Sequence, residues 1–440
     1  MKILILSNYP WQNNGSFGNT YSSIFGKVPN TEIAHIYMFD GKPDPVENIT
    51  AYYQILEREV MKSCFKSRTK SPGVGKRIEV PSEVEVEIPQ TKQEKVSVYG
   101  KLLAFGKRHH WSLLFMAREL AWKYGHVNYE GVMKFVEEFK PDIFFLPYSY
   151  VYYTNRIALY IKEHYDFPMV MEMAMDHYTL NRVSWNPIFW LDRFGKRKQI
   201  RRLAKKSEMM FVISKKLKDY LEEDLDIPCK VLYKTPDKNR RLEKYNPTNE
   251  TIKFLYTGNI YSNRWKSLAL LVQELKAQNF GFLDIYTDSP ITSAIDKALN
   301  VNGFSKIHPP VSQRDVINLQ NTADVLVHAE AFDKYNKSLV RCAISTKIMD
   351  YLSVGRCILA IGPSDISSIE YLADGDLALI ANSKERLTQI VSTIKKNKQI
   401  IADYASKGRE YVVNQLDEDK IRKSFYDELQ RVIDEYKKIK

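Results

Sequence analysis

The feature that most constrains this chain is a β-α rhythm that runs, stops and starts again. Short runs rich in Ile, Val, Leu, Phe and Met recur at Ile3–Leu6, Ile33–Phe39, Ile143–Leu146, Met169–Met173 and Met209–Ile213, with helix-length amphipathic stretches between them. Parallel strands are reached only through a crossover, usually a helix, so this alternation predicts a parallel sheet. A second series follows at Ile252–Tyr256, Phe282–Tyr286, Asp324–His328, Cys357–Ile361 and Leu377–Ile380. Between the two lies Tyr233–Glu250, which carries two prolines, many charges and almost no apolar content, as an interdomain connection does. The expectation is an α/β chain with one domain at 1–232, a linker at 233–250 and a second domain at 251–415. Its 440 residues exceed what one core usually holds, in agreement. From 416 to 440, Ile421, Phe425, Leu429, Val432, Ile433 and Tyr436 fall at three-and-four spacing and predict one helix, packed on a domain or crossing back between the two.

Other stretches bound the function. Residues 62–95 lack a helical period, being basic around Lys66–Arg77 and then alternating, and read as an excursion carrying an edge hairpin. Cys64, Cys229, Cys342 and Cys357 show neither a C-x-x-C pair nor zinc-finger spacing, so a reducing, cytoplasmic setting without disulfides or structural zinc is expected. The apolar run at the start ends at Ser7-Asn8, too short for a secretory signal, and nowhere do 18 apolar residues run together. The net charge of +12 raises the prospect of an anionic partner without choosing among nucleic acid, phosphorylated small molecules and anionic lipid.

Two open sheets facing each other place a ligand beyond the carboxyl ends of their strands, so the informative residues are those just after strands. Pro10–Asn19 follows the first strand; Gly15 and Gly18 permit close backbone approach while Ser16 and Asn19 are polar, which suits a phosphate, an acceptor or a plain turn. After IKFLYTG, which ends at Gly258, Arg264 and Lys266 lie between the strand and an amphipathic helix. Fixed cations beside a helix N-terminus suit a diphosphate, although such residues are often simply solvated. Richest is Asp324–Gly362, reading strand, loop, short helix, glycine stop and buried strand. Ser345 or Thr346 can cap that helix and Gly355 can end it, while Lys347 sits in the first turn, where the helix dipole disfavours a cation unless an anion is bound. Asp350 is one turn on, so the pair can hold a phosphate and a ribose diol, or form an i,i+3 salt bridge.

Here the sequence resembles the retaining, nucleotide-sugar-dependent glycosyltransferases of GT-B fold, the large family-four or group 1 transferases. The likeness is carried by YTGN with Lys266 and its long helix, by SQRDVINLQNTADVLVHA, and by STKIMDYLSVGRCILAIG, over roughly residues 250 to 380. It implies two Rossmann-like domains facing across a cleft. It also implies transfer of a sugar from a UDP- or GDP-linked donor to a glycan or lipid-linked acceptor, with retention, in surface polysaccharide or glycolipid synthesis. Carried over by position, Lys266 would hold the donor diphosphate, Asp350 the ribose hydroxyls and Lys347 a phosphate or the sugar, with Gly258 and Asn259 at the strand end. The family's pair of glutamates eight apart is absent, since Cys342 stands eight before Asp350, and Glu330 is the candidate substitute. Its arginine after the strand glycine is Asn259 here, leaving Arg264 in its place. Asp176 and His177, after MVMEMA, resemble the position of a cleft-facing His or Asp that orients the acceptor, or form a structural pair. The resemblance implies no cofactor and no metal, and the pairs Asp224/Asp226 and Asp374/Asp376 read as loop residues.

Arg193–Lys206 crowds cations around Phe194, Ile200, Leu203 and Ala204, and Lys101–Trp122 mixes basic, aromatic and aliphatic residues, so both suit an anionic membrane surface at the inner face of the plasma membrane, or a solvated helix face. No recognised nucleic-acid module is present, and no nucleic-acid partner is expected. Two alternatives stay open: a catalytically silent subunit of the same fold that partners another glycosyltransferase, and a nucleotide-sugar epimerase.

Overall fold

The computed structural model describes residues 1–12, 16–26, 28–64, 73–81, 112–179, 184–235, 245 and 251–440. Among them are two sheets. The first holds β1 (Lys2–Leu6), β2 (Glu32–Tyr37), β3 (Ile49–Gln54), β4 (Lys76–Ile78), β5 (Ile143–Pro147), β6 (Met169–Met173), β7 (Met209–Val212) and β8 (Cys229–Val231). Their order is β4-β3-β2-β1-β5-β6-β7-β8, parallel throughout except for the antiparallel edge pair β3 and β4. The second holds β9 (Lys253–Thr257), β10 (Phe282–Tyr286), β11 (Ser305–His308), β12 (Val325–Ala329), β13 (Cys357–Ile361) and β14 (Leu379–Ala381), in the order β11-β10-β9-β12-β13-β14. Every pair recorded in this sheet is parallel.

Both sheets are covered on both faces, which is why their strands read as continuous apolar runs. Ile3 and Ile5 pack into one layer and Leu4 and Leu6 into the other. Phe254 and Tyr256 likewise part from Leu255, and Val325 and Val327 from Leu326. The cluster containing Leu4 and Leu6 also contains Ile344, Ile348 and Ile366, so apolar packing continues between the domains. Polar ties run beside it: Ser214 Oγ donates to the Cys342 carbonyl at 2.7 Å, and Lys216 meets Glu370 at 2.6 Å.

β3, β4, β8 and β11 are absent from the sequence reading. β4, β8 and β11 are three or four residues long and stand at sheet edges, so they carry little apolar signal. β3 is interior, but its Tyr52 and Tyr53 lack the aliphatic signature of its neighbours. Within 62–95, the described part holds the end of the helix Glu57–Ser63 and the edge strand β4, while the alternating stretch lies outside the described residues. Most of the linker, at 236–244 and 246–250, lies outside them too.

The helix Glu418–Lys438 returns to the first domain. Phe425 packs its ring against Phe25, Phe145 and Phe211 at centroid distances of 5.2, 5.8 and 5.1 Å, and Tyr426 donates to the Phe25 carbonyl at 2.9 Å. Among the described residues no helix is long and apolar enough to cross a membrane.

Candidate functional site

A cavity of about 950 Å³ opens between the carboxyl ends of the two sheets. Gly258, Asn259, Arg264, Glu330, Ser345, Thr346, Lys347 and Asp350 all line it, drawn from the loops after β9 and β12 and from the starts of the helices Arg264–Ala277 and Thr346–Val354. Asn19, Thr20, Ala174 and Met175 face them from the first domain.

At its centre Arg264 forms a two-pronged pair with Glu330: Nε to Oε2 at 3.0 Å and Nη2 to Oε1 at 3.1 Å. Its remaining nitrogen, Nη1, donates to Asn259 Oδ1 at 3.0 Å. Such a fork fixes the guanidinium plane far better than a single contact. Glu330 is fixed in turn, its N–H donating to the Ile361 carbonyl at 2.8 Å and its own carbonyl accepting from Ser267 Oγ at 2.6 Å. Arg264 thus reaches back to Asn259, the residue after the strand glycine.

Lys347 lies in the first turn of the helix Thr346–Val354, with its ammonium 5.2 Å from the Tyr256 ring centroid. Gly258, at φ +131°, makes room for it: a Cβ there would stand 1.7 Å from Lys347 Nζ. Burial above all, and then the Arg264 guanidinium, press this ammonium down to about 8, against the pull of Glu330, Asp288 and Asp350. The helix start beside it is open, for Ser345 occupies the N-cap but makes no side-chain cap hydrogen bond, contrary to the expected cap. This helix start, whose Ser345 N–H donates to Ser368 Oγ at 3.1 Å, and two cations converge on one cavity wall, an arrangement suited to a diphosphate. Asp350 does not pair with Lys347 as an i,i+3 bridge among the contacts described; it meets Lys234, at the start of the linker, at 2.7 Å. Lys234 also lines the cavity, and Thr235 beside it donates to the Ser23 carbonyl at 3.2 Å, so these two residues tie the site to the first domain.

Other sequence candidates fall elsewhere. Lys266 is exposed, lies 5.7 Å from its neighbour Trp265's ring and does not line the cavity, because it is two residues past Arg264 and so on another side of the helix. Asp176 holds its own loop, accepting from the N–H groups of Tyr178 and Thr179 at 3.0 and 2.7 Å and from the Thr179 hydroxyl. His177 packs against Tyr148 and Tyr150, and burial lowers it to about 4. Neither lines the cavity; Ala174 and Met175 of the same loop do. Gly15 lies outside the described residues. Cys342 is buried and does not line the cavity.

Lining residues that sequence reasoning missed include Lys234, Tyr256, Gln320, His328 and Tyr351. His328 and Tyr351 sit inside segments already singled out, a strand and the key helix, but read there as core. Lys234 had no signal within a charged linker.

No protein-family model matches the sequence, and no curated protein matches it. Solved structures do. HepE of Anabaena in complex with UDP superposes over 98% of this chain and 100% of its own, with a TM-score of 0.62 and 12% identity. Sucrose-phosphate synthase of Thermosynechococcus elongatus covers 98% of both chains with a TM-score of 0.62 at 10% identity. WaaG, a glycosyltransferase involved in lipopolysaccharide biosynthesis, covers 97% of this chain and 99% of its own, with a TM-score of 0.56 at 12% identity. At such low identity the likeness speaks for architecture, and together with the two parallel sheets facing across a lined cleft it establishes that this chain has the GT-B fold.

Proposed function

We propose that the chain is a glycosyltransferase that takes a sugar from a UDP- or GDP-linked donor and passes it, with retention and without a metal, to a glycan or lipid-linked acceptor. The observation that carries this is the cavity wall on which Arg264, Lys347 and an uncapped helix start converge, with Asp350 one turn along. HepE of Anabaena, of the same fold, was solved with UDP. In the reaction the bond from the anomeric carbon to the phosphate oxygen breaks, and a bond to the acceptor oxygen forms on the same face of the sugar. The acceptor proton passes to the leaving phosphate. Arg264, Lys347 and the helix N–H groups stabilise the charge developing there, the task a divalent ion performs elsewhere.

The test is calorimetric titration with UDP, GDP, ADP and CMP, repeated on Lys347→Ala and Asp350→Ala. Selective binding to one base, weakened in both variants, supports the donor site; binding of none overturns it. Donor turnover then separates an enzyme from a silent subunit, and epimerisation of donor without acceptor would favour the isomerase reading.

For the acceptor side we infer peripheral attachment to an anionic membrane through the helix Pro187–Ala204. Leu191 and Phe194 are exposed there beside exposed Lys198, Arg201 and Arg202. Arg193 and Arg197 point inward, donating to the carbonyls of Thr179 and Tyr178. Of the other basic stretch, 101–111 lies outside the described residues; in its described part Arg118 pairs with buried Glu57, and Trp122 stacks on Tyr153 at 3.8 Å. Failure to bind phosphatidylglycerol vesicles at low salt would rule attachment out.

A further inference from the structure

His328 is the penultimate residue of β12, on the face of the sheet shared with Leu326 and two residues before Glu330. It is 4% exposed and lines the cavity, yet its Nε2 has no hydrogen-bond partner. The Glu330 carboxylate oxygen Oε1 stands at 3.7 Å, beyond hydrogen-bond reach. Glu330 does not move to close that gap, because Arg264 holds its carboxylate by two prongs and Ile361 and Ser267 hold its backbone. A buried polar nitrogen is rarely left unpaired in a folded protein unless a ligand completes it.

The surroundings narrow the ligand. Burial lowers the imidazole to about 4, opposed by Glu330 and reinforced by Arg264 and Lys347, so the ring is neutral at ordinary pH. A neutral imidazole beside a carboxylate is a poor place for a phosphate, whose oxygens have no proton to give and are repelled by Glu330. A hydroxyl fits both partners, since it donates to one and accepts from the other. Charge for the diphosphate is already concentrated on Arg264, Lys347 and the helix start.

Resting on the nucleotide-sugar reading above, we propose that His328 and Glu330 together hold one hydroxyl of the transferred sugar, its oxygen bridging Nε2 and Oε1. His328 is then a specificity-determining residue, and the donor class is a hexose bearing that hydroxyl rather than its deoxy analogue. A pocket built to pair a hydroxyl rejects the analogue lacking it, because the buried protein groups are left without partners.

The experiment measures affinity for UDP, GDP and a set of their sugars (UDP-glucose, UDP-galactose, UDP-N-acetylglucosamine, GDP-mannose), then for monodeoxy forms of the tightest donor. It uses wild type, His328→Phe and His328→Gln, each checked for an unchanged melting temperature. In wild type the sugar should tighten binding over the bare nucleotide. His328→Phe should keep bare-nucleotide affinity within about two-fold and lose about ten-fold on the sugar, the loss of one buried hydrogen bond. One deoxy donor should bind wild type that weakly and be weakened no further by His328→Phe, and His328→Gln should recover part of the loss. The proposal is overturned if His328→Phe leaves the sugar's increment intact, if it weakens nucleotide and sugar donor alike, or if no sugar adds affinity in wild type. Failure of every nucleotide to bind wild type is a separate result, which removes the donor-site reading itself.

Discussion

The two walls of the cleft differ in kind. The second domain supplies Arg264, His328, Glu330, Lys347 and Asp350, whereas the described lining of the first domain is Asn19, Thr20, Ala174 and Met175, without a titratable side chain. The first domain does own buried ionisable groups, but behind its wall: Tyr21 donates to Glu172 at 2.6 Å, and Arg118 pairs with Glu57. On the proposed function, charge stands on the wall that would hold the donor's diphosphate and is absent from the described lining of the wall that would admit the acceptor. A fixed, charged wall suits an invariant phosphate and a neutral one suits an acceptor hydroxyl, whose desolvation costs less.

The sharpest way to break this contrast is Glu330→Ala. It leaves the Arg264 guanidinium without its counter-charge in a mostly buried position, held only by Asn259 among the contacts described, and stability should fall by about 3 kcal/mol, as when one partner of a buried pair is removed. Asn19→Ala with Thr20→Ala should cost less than about 0.5 kcal/mol in the same denaturant titration, as surface changes do. Equal losses would mean the walls are alike.

Next in size is Lys347→Ala, which should weaken nucleotide binding about 30-fold, roughly 2 kcal/mol for a charged contact. The wild-type affinity should also carry a pH signature. With Lys347 held at about 8, binding should be strongest below that value and weaken as pH rises through it, with uptake of a proton between pH 8 and 9. Calorimetry in buffers of different ionisation enthalpy reads that uptake, and Lys347→Arg should abolish it.

Smaller again is the group behind the neutral wall. Burial raises Glu172 to about 7, against the Tyr21 hydrogen bond, so it holds a proton more firmly folded than unfolded. Its contribution to stability is complete below the ordinary carboxylate value near 4.5 and is lost as pH rises through 7. Glu172→Gln should therefore stabilise the protein by about 1–2 kcal/mol at pH 8 and by little at pH 4.5, read from melting temperatures at both. A pH-independent effect would show that Glu172 is already solvated. Least of all, Lys266→Ala should change nucleotide affinity less than about two-fold, since an exposed cation is well screened.

How legible this was differs between the domains. The α/β class and most central strands could be read from apolar runs, because a doubly covered parallel sheet buries every residue of a strand. Around the second-domain site, Arg264, Glu330, Lys347 and Asp350 follow strands or open a helix, so position in the pattern pointed to them. Lys266 misled because two residues along a helix turn a side chain about 200° away, a rotation that proximity in sequence conceals. Asp176 could be read only as either a cleft residue or a structural one, because an aspartate after a strand serves an Asx turn as readily as a cleft. Lys234 and His328 were invisible for other reasons. Lys234 gains its significance only where the linker meets Asp350, and His328, two residues before Glu330 on the same strand end, read simply as a buried strand residue.

The return of the helix Glu418–Lys438 bears on the order of events during synthesis. Phe25 and its companions Phe145 and Phe211 are covered by Phe425, and Tyr426 bonds to a residue 401 positions earlier. On the ribosome the first domain is thus made early but finished late, waiting with an aromatic face bare while the whole second domain is translated. Contacts of such long range slow folding and expose apolar surface meanwhile, so this face is where a chaperone would be needed most.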